Sequence, residues 1–255
     1  MSVLLRIART EVLEQRRQPW MIFILAANYA LWGAVFGVLF LAIDSLSSRP
    51  ETLSWLKQQL PGIELDAFMQ LATSSFGSLS FTNLPLYVAI MSGTSVLHDR
   101  ECGTMPFLML APVTRSQLLV GKLAGVMTIP LVLHVVFVGT SSLVLGRLGS
   151  LAPFAHKFGA SPAWWVAFLL GAPASAAFVG ALGTVISALS RDVRTSMQYT
   201  SFFIGLLSLG IGFVLVDGIS KGALVQLAFA GGCVVATALT VFIGGRLISK
   251  DLAAT

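Results

Sequence analysis

In 255 residues the chain carries 56% hydrophobic and only 11% charged side chains, and its mean hydropathy is +0.86. A soluble domain devotes roughly 25% of its residues to charge, so this composition excludes a fold with a fully water-facing surface and makes lipid the solvent. The net charge of +5 comes from Lys and Arg dispersed between apolar blocks, which gives no basic stripe and no motif for nucleic acid.

Residues 1–19 form the first predicted element, a helix that ends near Pro19. At about 100° per residue, Arg6, Arg9, Arg16 and Arg17 share one arc, with Val3, Leu4, Ile7, Ala8 and Val12 mostly opposite and Glu11 interrupting the apolar side. This segment is either an amphipathic helix lying on the membrane surface or an ordinary basic flank of the first span.

A bilayer core of about 30 Å takes about 20 apolar residues in a helix. Six segments fit, at about 20–43, 76–97, 123–145, 163–189, 197–216 and 223–245, and together they define an all-α integral membrane protein with one six-span domain over 20–255. Continuous apolar runs that satisfy their own backbone point to helix over strand. The first run is too long for a signal-peptide core and is expected to stay as an uncleaved anchor.

Between spans one and two, residues 44–75 are the longest polar stretch, with a Pro61-Gly62 turn and scattered apolar residues expected to form short surface helices. Residues 98–122 connect spans two and three. Only Asp217, Gly218, Ile219, Ser220 and Lys221 separate the last two spans, which implies a tight hairpin. Eleven of the sixteen Lys and Arg lie on the side of the N-terminus, against Arg49, Lys57, Arg147, Lys157 and Lys221 on the other. That asymmetry places both termini in the cytoplasm.

The spans contain two stripes of small residues at four-residue spacing, Ala172, Ala176, Gly180, Thr184 and Gly232, Ala236, Thr240, Gly244. Such stripes let helix backbones approach closely. Pro85, Pro130 and Pro173 are expected to kink or open their helices.

Cys102 sits in a charged loop and Cys233 in an apolar block, so neither a disulfide framework nor a metal pattern is present. His134, midway along the third span, is the one ionisable side chain deep in the membrane, and Asn28 is a polar residue in the first. Each is a candidate either for a hydrogen-bonded packing role or for lining a substrate path. No Gly-x-x-x-x-Gly-Lys-Ser/Thr loop occurs, so ATP-driven work requires a separate polypeptide. An intramembrane enzyme would need clustered polar groups, and a secondary transporter internal repeats and paired charges.

The loop 98–122 opens on Asp99, Arg100 and Glu101, breaks at Gly103-Thr104, carries the apolar Phe107, Leu108 and Leu110, and turns at Pro112 into a helix for which Thr114 is a candidate N-cap. Its pattern Glu101-x-Gly103-Thr104, then Leu108-x-Leu110-x-Pro112-Val113-x-Arg115 and Gly121-Lys122, resembles the signature of ABC-2 type permeases, the membrane subunits of type V ABC exporters. Leu182-Gly183-x-x-Ile186-Ser187-x-x-Ser190-Arg191 and Arg9-x-Glu11 with Arg16-Arg17 look like the same family. The resemblance implies a six-span permease subunit of an ATP-driven exporter in a bacterial cytoplasmic (inner) membrane, dimeric or paired with a homologous permease, and seated on two ATP-binding cassette subunits. It implies that this chain binds no cofactor and is not itself an enzyme, with ATP and Mg held by the partner. Residues 1–19 would be the connecting helix. Glu101, Gly103, Thr104, Phe107, Leu108, Pro112, Arg115 and Lys122 would belong to the coupling region, with Glu101 facing the basic N-terminal helix. A haem-exporter type B subunit is a rival within the same superfamily, disfavoured by the long 44–75 segment.

Overall fold

A computed structural model describes residues 3–17, 19–47, 65–104, 113–145 and 161–251. Most of the segment 44–75 and the centre of the 98–122 loop, with Phe107, Leu108 and Pro112, lie outside the described residues.

The described residues form helices joined by short turns, without strands. They form α1 (Val3–Arg16), α2 (Pro19–Ser47), α3 (Leu65–Glu101), α4 (Arg115–Leu145), α5 (Pro162–Val166), α6 (Ala172–Leu189), α7 (Val193–Tyr199), α8 (Gly205–Lys221) and α9 (Ala223–Asp251). A π-turn at Ala167–Gly171 joins α5 to α6, and another at Thr200–Ile204 joins α7 to α8. Pro19 begins α2, where its fixed φ and missing N–H are harmless. Thr114 caps α4 by a reciprocal pair: its Oγ1 accepts from the Gln117 N–H at 3.2 Å and its own N–H donates to Gln117 Oε1 at 2.9 Å.

Five stretches are long and apolar enough to cross a membrane: Ile22–Ala42, Arg115–Leu143, Pro162–Leu189, Val193–Lys221 and Ala223–Ile248. Their outward faces carry large apolar side chains, such as Phe23 at 72% and Leu224 at 82% exposure, a surface that only lipid or another apolar partner can cover. The expected span 76–97 falls inside α3, which has a different composition. Its Ser78, Ser80, Thr82, Asn83, Ser92 and Ser95 are all buried. α3 is the core helix of the bundle, packed most extensively on α6 and then on α8, α4 and α7. A helix enclosed by other helices can carry polar side chains that a lipid-facing one could not.

The α3–α6 seam is where the small residues act. Ala172, Ala176, Gly180 and Thr184 are all buried. A Cβ on Gly180 would meet Val88 and Leu123 at 2.6 Å, and one on Gly183 would collide with Ser92 Oγ. The stripe in α9 behaves otherwise. Gly232 is exposed with nothing near it, and only Gly244 is pressed against Val185. The buried edge of α9 runs instead through Gln226, Ala230, Cys233, Val241, Gly244 and Ile248, offset around the helix from Gly232, Ala236 and Thr240.

Pro173 opens its helix as expected: its missing N–H cannot serve the carbonyl of Leu169, and the chain runs in π-register through that turn. At Pro85 and Pro130 the helices continue without interruption. The expected connector 217–221 is the last part of α8, not a turn. Lys221 and Asp217 pair one turn apart on its exposed face, and the break comes at Gly222, whose φ of +102° only glycine adopts easily. Gln226 fastens the hairpin, donating from Nε2 to the Leu215 carbonyl at 2.6 Å.

Candidate functional site

The densest polar chemistry lies where α3 runs out, α4 begins and α1 crosses both. Lys122, about two turns into α4, is buried with its Nζ 2.6 Å from Glu11 Oε2 on α1 and 2.7 Å from Asp99 Oδ2 on α3. It also donates to the Ser95 carbonyl at 3.1 Å. Three helices are thus joined through one ammonium. A buried charge without a partner costs several kcal/mol, so each group specifies the presence of the others.

α1 reaches this position because α4 offers it glycine. A Cβ on Gly121 would stand 2.9 Å from Ile7, and one on Gly125 would strike Glu11 and come within 2.8 Å of the Ala8 carbonyl. The buried edge of α1 is Ile7, Glu11 and Gln15, with Gln15 Nε2 donating to the Gly125 carbonyl at 3.4 Å. Arg6, Arg9, Arg16 and Arg17 face outward. Glu11 therefore does not spoil an apolar face: it is the centre of the packed one. Its carboxyl is held above the ordinary range by burial, against the opposing pull of Lys122. Beside it Glu11, Glu14, Gln15, Met91, Thr94, Ser95 and His98 line a cavity of about 40 Å³, room for a water molecule.

Two arginines fasten the same end. Arg100 Nη2 donates to the Ala188 carbonyl at 2.6 Å, and Arg115 Nη1 to the Ile248 carbonyl at 2.9 Å. Each satisfies carbonyls in the last turn of a helix, α6 and α9, where the backbone is partly negative. α3 ends through Gly103 at φ +69°, and Thr104 folds back, its N–H donating to the Asp99 carbonyl at 2.9 Å and its Oγ1 to Asp99 Oδ1 at 3.2 Å.

Of the sequence-derived candidates, the structure brings Thr104 and Lys122 together through Asp99, and sets Arg115 and Gly103 at the same end. Glu101 is exposed and outside this network, so the contact with the N-terminal helix runs through Asp99 and Lys122 instead. Gln15 and Ser95 stood out nowhere in the sequence, and Glu11 only as a break in an apolar arc and within the Arg9-x-Glu11 pattern, without a role. The signal was an acid on the inner arc of one helix and a lysine at the mouth of an apolar one. His134 is fully enclosed, its ring 5.0 Å from Phe168 and 6.5 Å from Tyr29. Neither of its nitrogens has a hydrogen-bond partner among the described residues, and Asn28 Oδ1 and the Tyr29 hydroxyl share that condition.

Residues 5–228 match the family model described as ABC-2 family transporter protein. The chain belongs to that family. A comparison with curated proteins finds no matching relative. As an ABC-2 family member it is a multi-pass membrane permease component of an ABC transporter, a class that works with an ATP-binding cassette subunit. The three-helix junction of this ABC-2 chain flanks the loop 98–122 on both sides, since Asp99 precedes its centre and Lys122 follows it.

Proposed function

We propose that this chain is the transmembrane subunit of an ATP-driven exporter in a bacterial inner membrane, and that ATP and Mg are bound and used by a separate cassette subunit present in two copies. Six spans cross the membrane, α3 supplying the sixth, with both termini cytoplasmic in accord with the eleven-to-five distribution of basic residues. A second copy of the chain, or a homologous permease, completes the pathway. α1 is the amphipathic connecting helix, with Val3, Leu5 and Leu13 exposed to the membrane surface.

The observation that carries the coupling assignment is the Glu11–Lys122–Asp99 junction. Residues 98–122 press on the cassette subunit through Phe107 and Leu108. A displacement of that loop must move Asp99 and Lys122, and with them α1, α3 and α4 as one body, because separating them would strand buried charge. His134 and Asn28 are the polar groups in the spans nearest a route for substrate.

The test is co-expression with candidate cassette subunits. The chain alone is expected to show no nucleotide hydrolysis, and to co-purify with an ATPase whose turnover responds to it. Phe107→Asp and Leu108→Asp place a charge in the contact and should lower complex yield while membrane insertion persists. Hydrolysis by the isolated chain, or wild-type assembly of both variants, contradicts the proposal.

A further inference from the structure

A cleft of about 480 Å³ opens where α6 gives way to α7, lined chiefly by Ile186, Leu189, Arg191, Thr195, Tyr199 and Phe203. Ligand pockets commonly span roughly 300–1,000 Å³. Its walls are of two kinds. Ile186, Leu189, Tyr199 and Phe203 make an apolar trough, with Tyr199 and Phe203 stacked at 6.3 Å between ring centroids. At its mouth stands Arg191, exposed and with no carboxylate paired to it among the described residues. The one acid there, Asp192, is engaged: Oδ1 accepts from the Thr195 N–H and Oδ2 from the Thr195 hydroxyl, both at 2.8 Å.

The apolar stretches that flank the cleft suit it to one depth. One membrane-crossing stretch ends at Leu189 and the next begins at Val193. Arg191 thus falls between the two apolar stretches, the position of an interface, while Tyr199 and Phe203 lie about two and three turns into the second. Cation at headgroup level above an apolar trough is the inverse of an anionic phospholipid, with its phosphate at the interface and its chain below. Arg194, also exposed on the first turn of α7, offsets the charge of Asp192 and leaves Arg191 as the cation at the mouth.

We propose that this cleft holds an anionic phospholipid of the adjoining leaflet, its phosphate on Arg191 and an acyl chain along Leu189, Tyr199 and Phe203. The site is independent of whether the chain exports anything. It touches the junction end of the bundle, because Arg100 on α3 holds the Ala188 carbonyl and lies 3.4 Å from that of Ser190, both beside the cleft. A bound lipid therefore stiffens the same end that carries the 98–122 loop.

Native mass spectrometry of the full chain in detergent, titrated with dioleoyl phosphatidylglycerol or dioleoyl phosphatidylcholine, reads both lipid retention and oligomeric mass. The wild type is expected to retain phosphatidylglycerol about fivefold better, the contribution of one basic residue at a membrane surface. Arg191→Gln should abolish that preference and Arg191→Lys should keep it. Arg9→Gln, the same charge loss on α1, should leave it unchanged. Phe203→Ser should weaken phosphatidylglycerol retention with every charge in place, and excess glycerol 3-phosphate should not displace the lipid. Equal retention of the two lipids by the wild type, an unchanged preference in Arg191→Gln, or an equal loss in Arg9→Gln overturns the site. So does displacement by glycerol phosphate, which would make it an anion site, or a lost dimer mass in Arg191→Gln without a change in lipid, which would assign the cleft to a second copy.

Discussion

Lys122 meets two carboxylates in a buried site, and that makes single substitutions at the junction unequal. Lys122→Met leaves Glu11 and Asp99 buried together without a cation, a loss of about 3–5 kcal/mol by analogy with other broken buried pairs. Glu11→Gln keeps the shape and leaves Lys122 its Asp99 partner, so it should cost clearly less. Thermal unfolding of the purified variants checks the order. Glu11 also sets a pH dependence. Its carboxyl titrates above the usual 4.5 in the folded protein because it is buried, so the folded state holds that proton more tightly than the unfolded chain. The stability this supplies is complete below pH 4.5 and is lost as pH rises through the raised value. The unfolding temperature of the wild type, compared with Glu11→Gln, should fall across that window, and a constant difference would show that Glu11 does not titrate there. Part of this site was legible in the sequence. Lys122 and the Gly103-Thr104 break stood out in the loop motif and Glu11 in the Arg9-x-Glu11 pattern, but on the helical wheel Glu11 read as a blemish on an apolar arc. Helical phase alone cannot tell an acid facing water from one facing a lysine on another helix.

Between elements, contact is set by where a Cβ is missing. Gly183 on α6 lies so close to Ser92 on α3 that an alanine there must push the helices apart or turn the Ser92 side chain. Gly183→Ala is expected to destabilise by about 1–3 kcal/mol, the usual effect of overpacking, and Ser92→Ala in the same chain should recover part of the loss. No recovery would mean that the backbone of Ala89, 3.1 Å from the added carbon, is the real obstacle. On the other seam, Gly125→Leu should detach α1 and expose its Arg16-Arg17 end to protease while the spans stay inserted. Small-residue spacing found the first of these seams and misplaced the α9 one, since spacing gives a stripe but not the helix it faces. The extension of α8 through Lys221 was hidden for a related reason: Asp217 and Lys221 look like a polar connector in sequence, yet they pair with each other along an unbroken helix.

At the scale of the molecule, apolar content announced six crossings; five are long apolar helices in the structure, and in the sixth, within α3, Ser78, Ser80, Thr82, Asn83, Ser92 and Ser95 face helices, not lipid. The proposed orientation predicts that, in a chain without its native cysteines, Ser54→Cys and Ser220→Cys react with an impermeant thiol reagent added outside cells, while Ser116→Cys does not. The central claim is that the end bearing the Glu11–Lys122–Asp99 junction is the face that meets the ATP-binding subunit. A photo-crosslinking residue placed at position 107 in intact membranes tests it most directly, with position 220, at the α8–α9 hairpin, as the comparison. The account predicts an adduct with the ATP-binding subunit from position 107 and none from position 220. An adduct from 220 with none from 107 would contradict it.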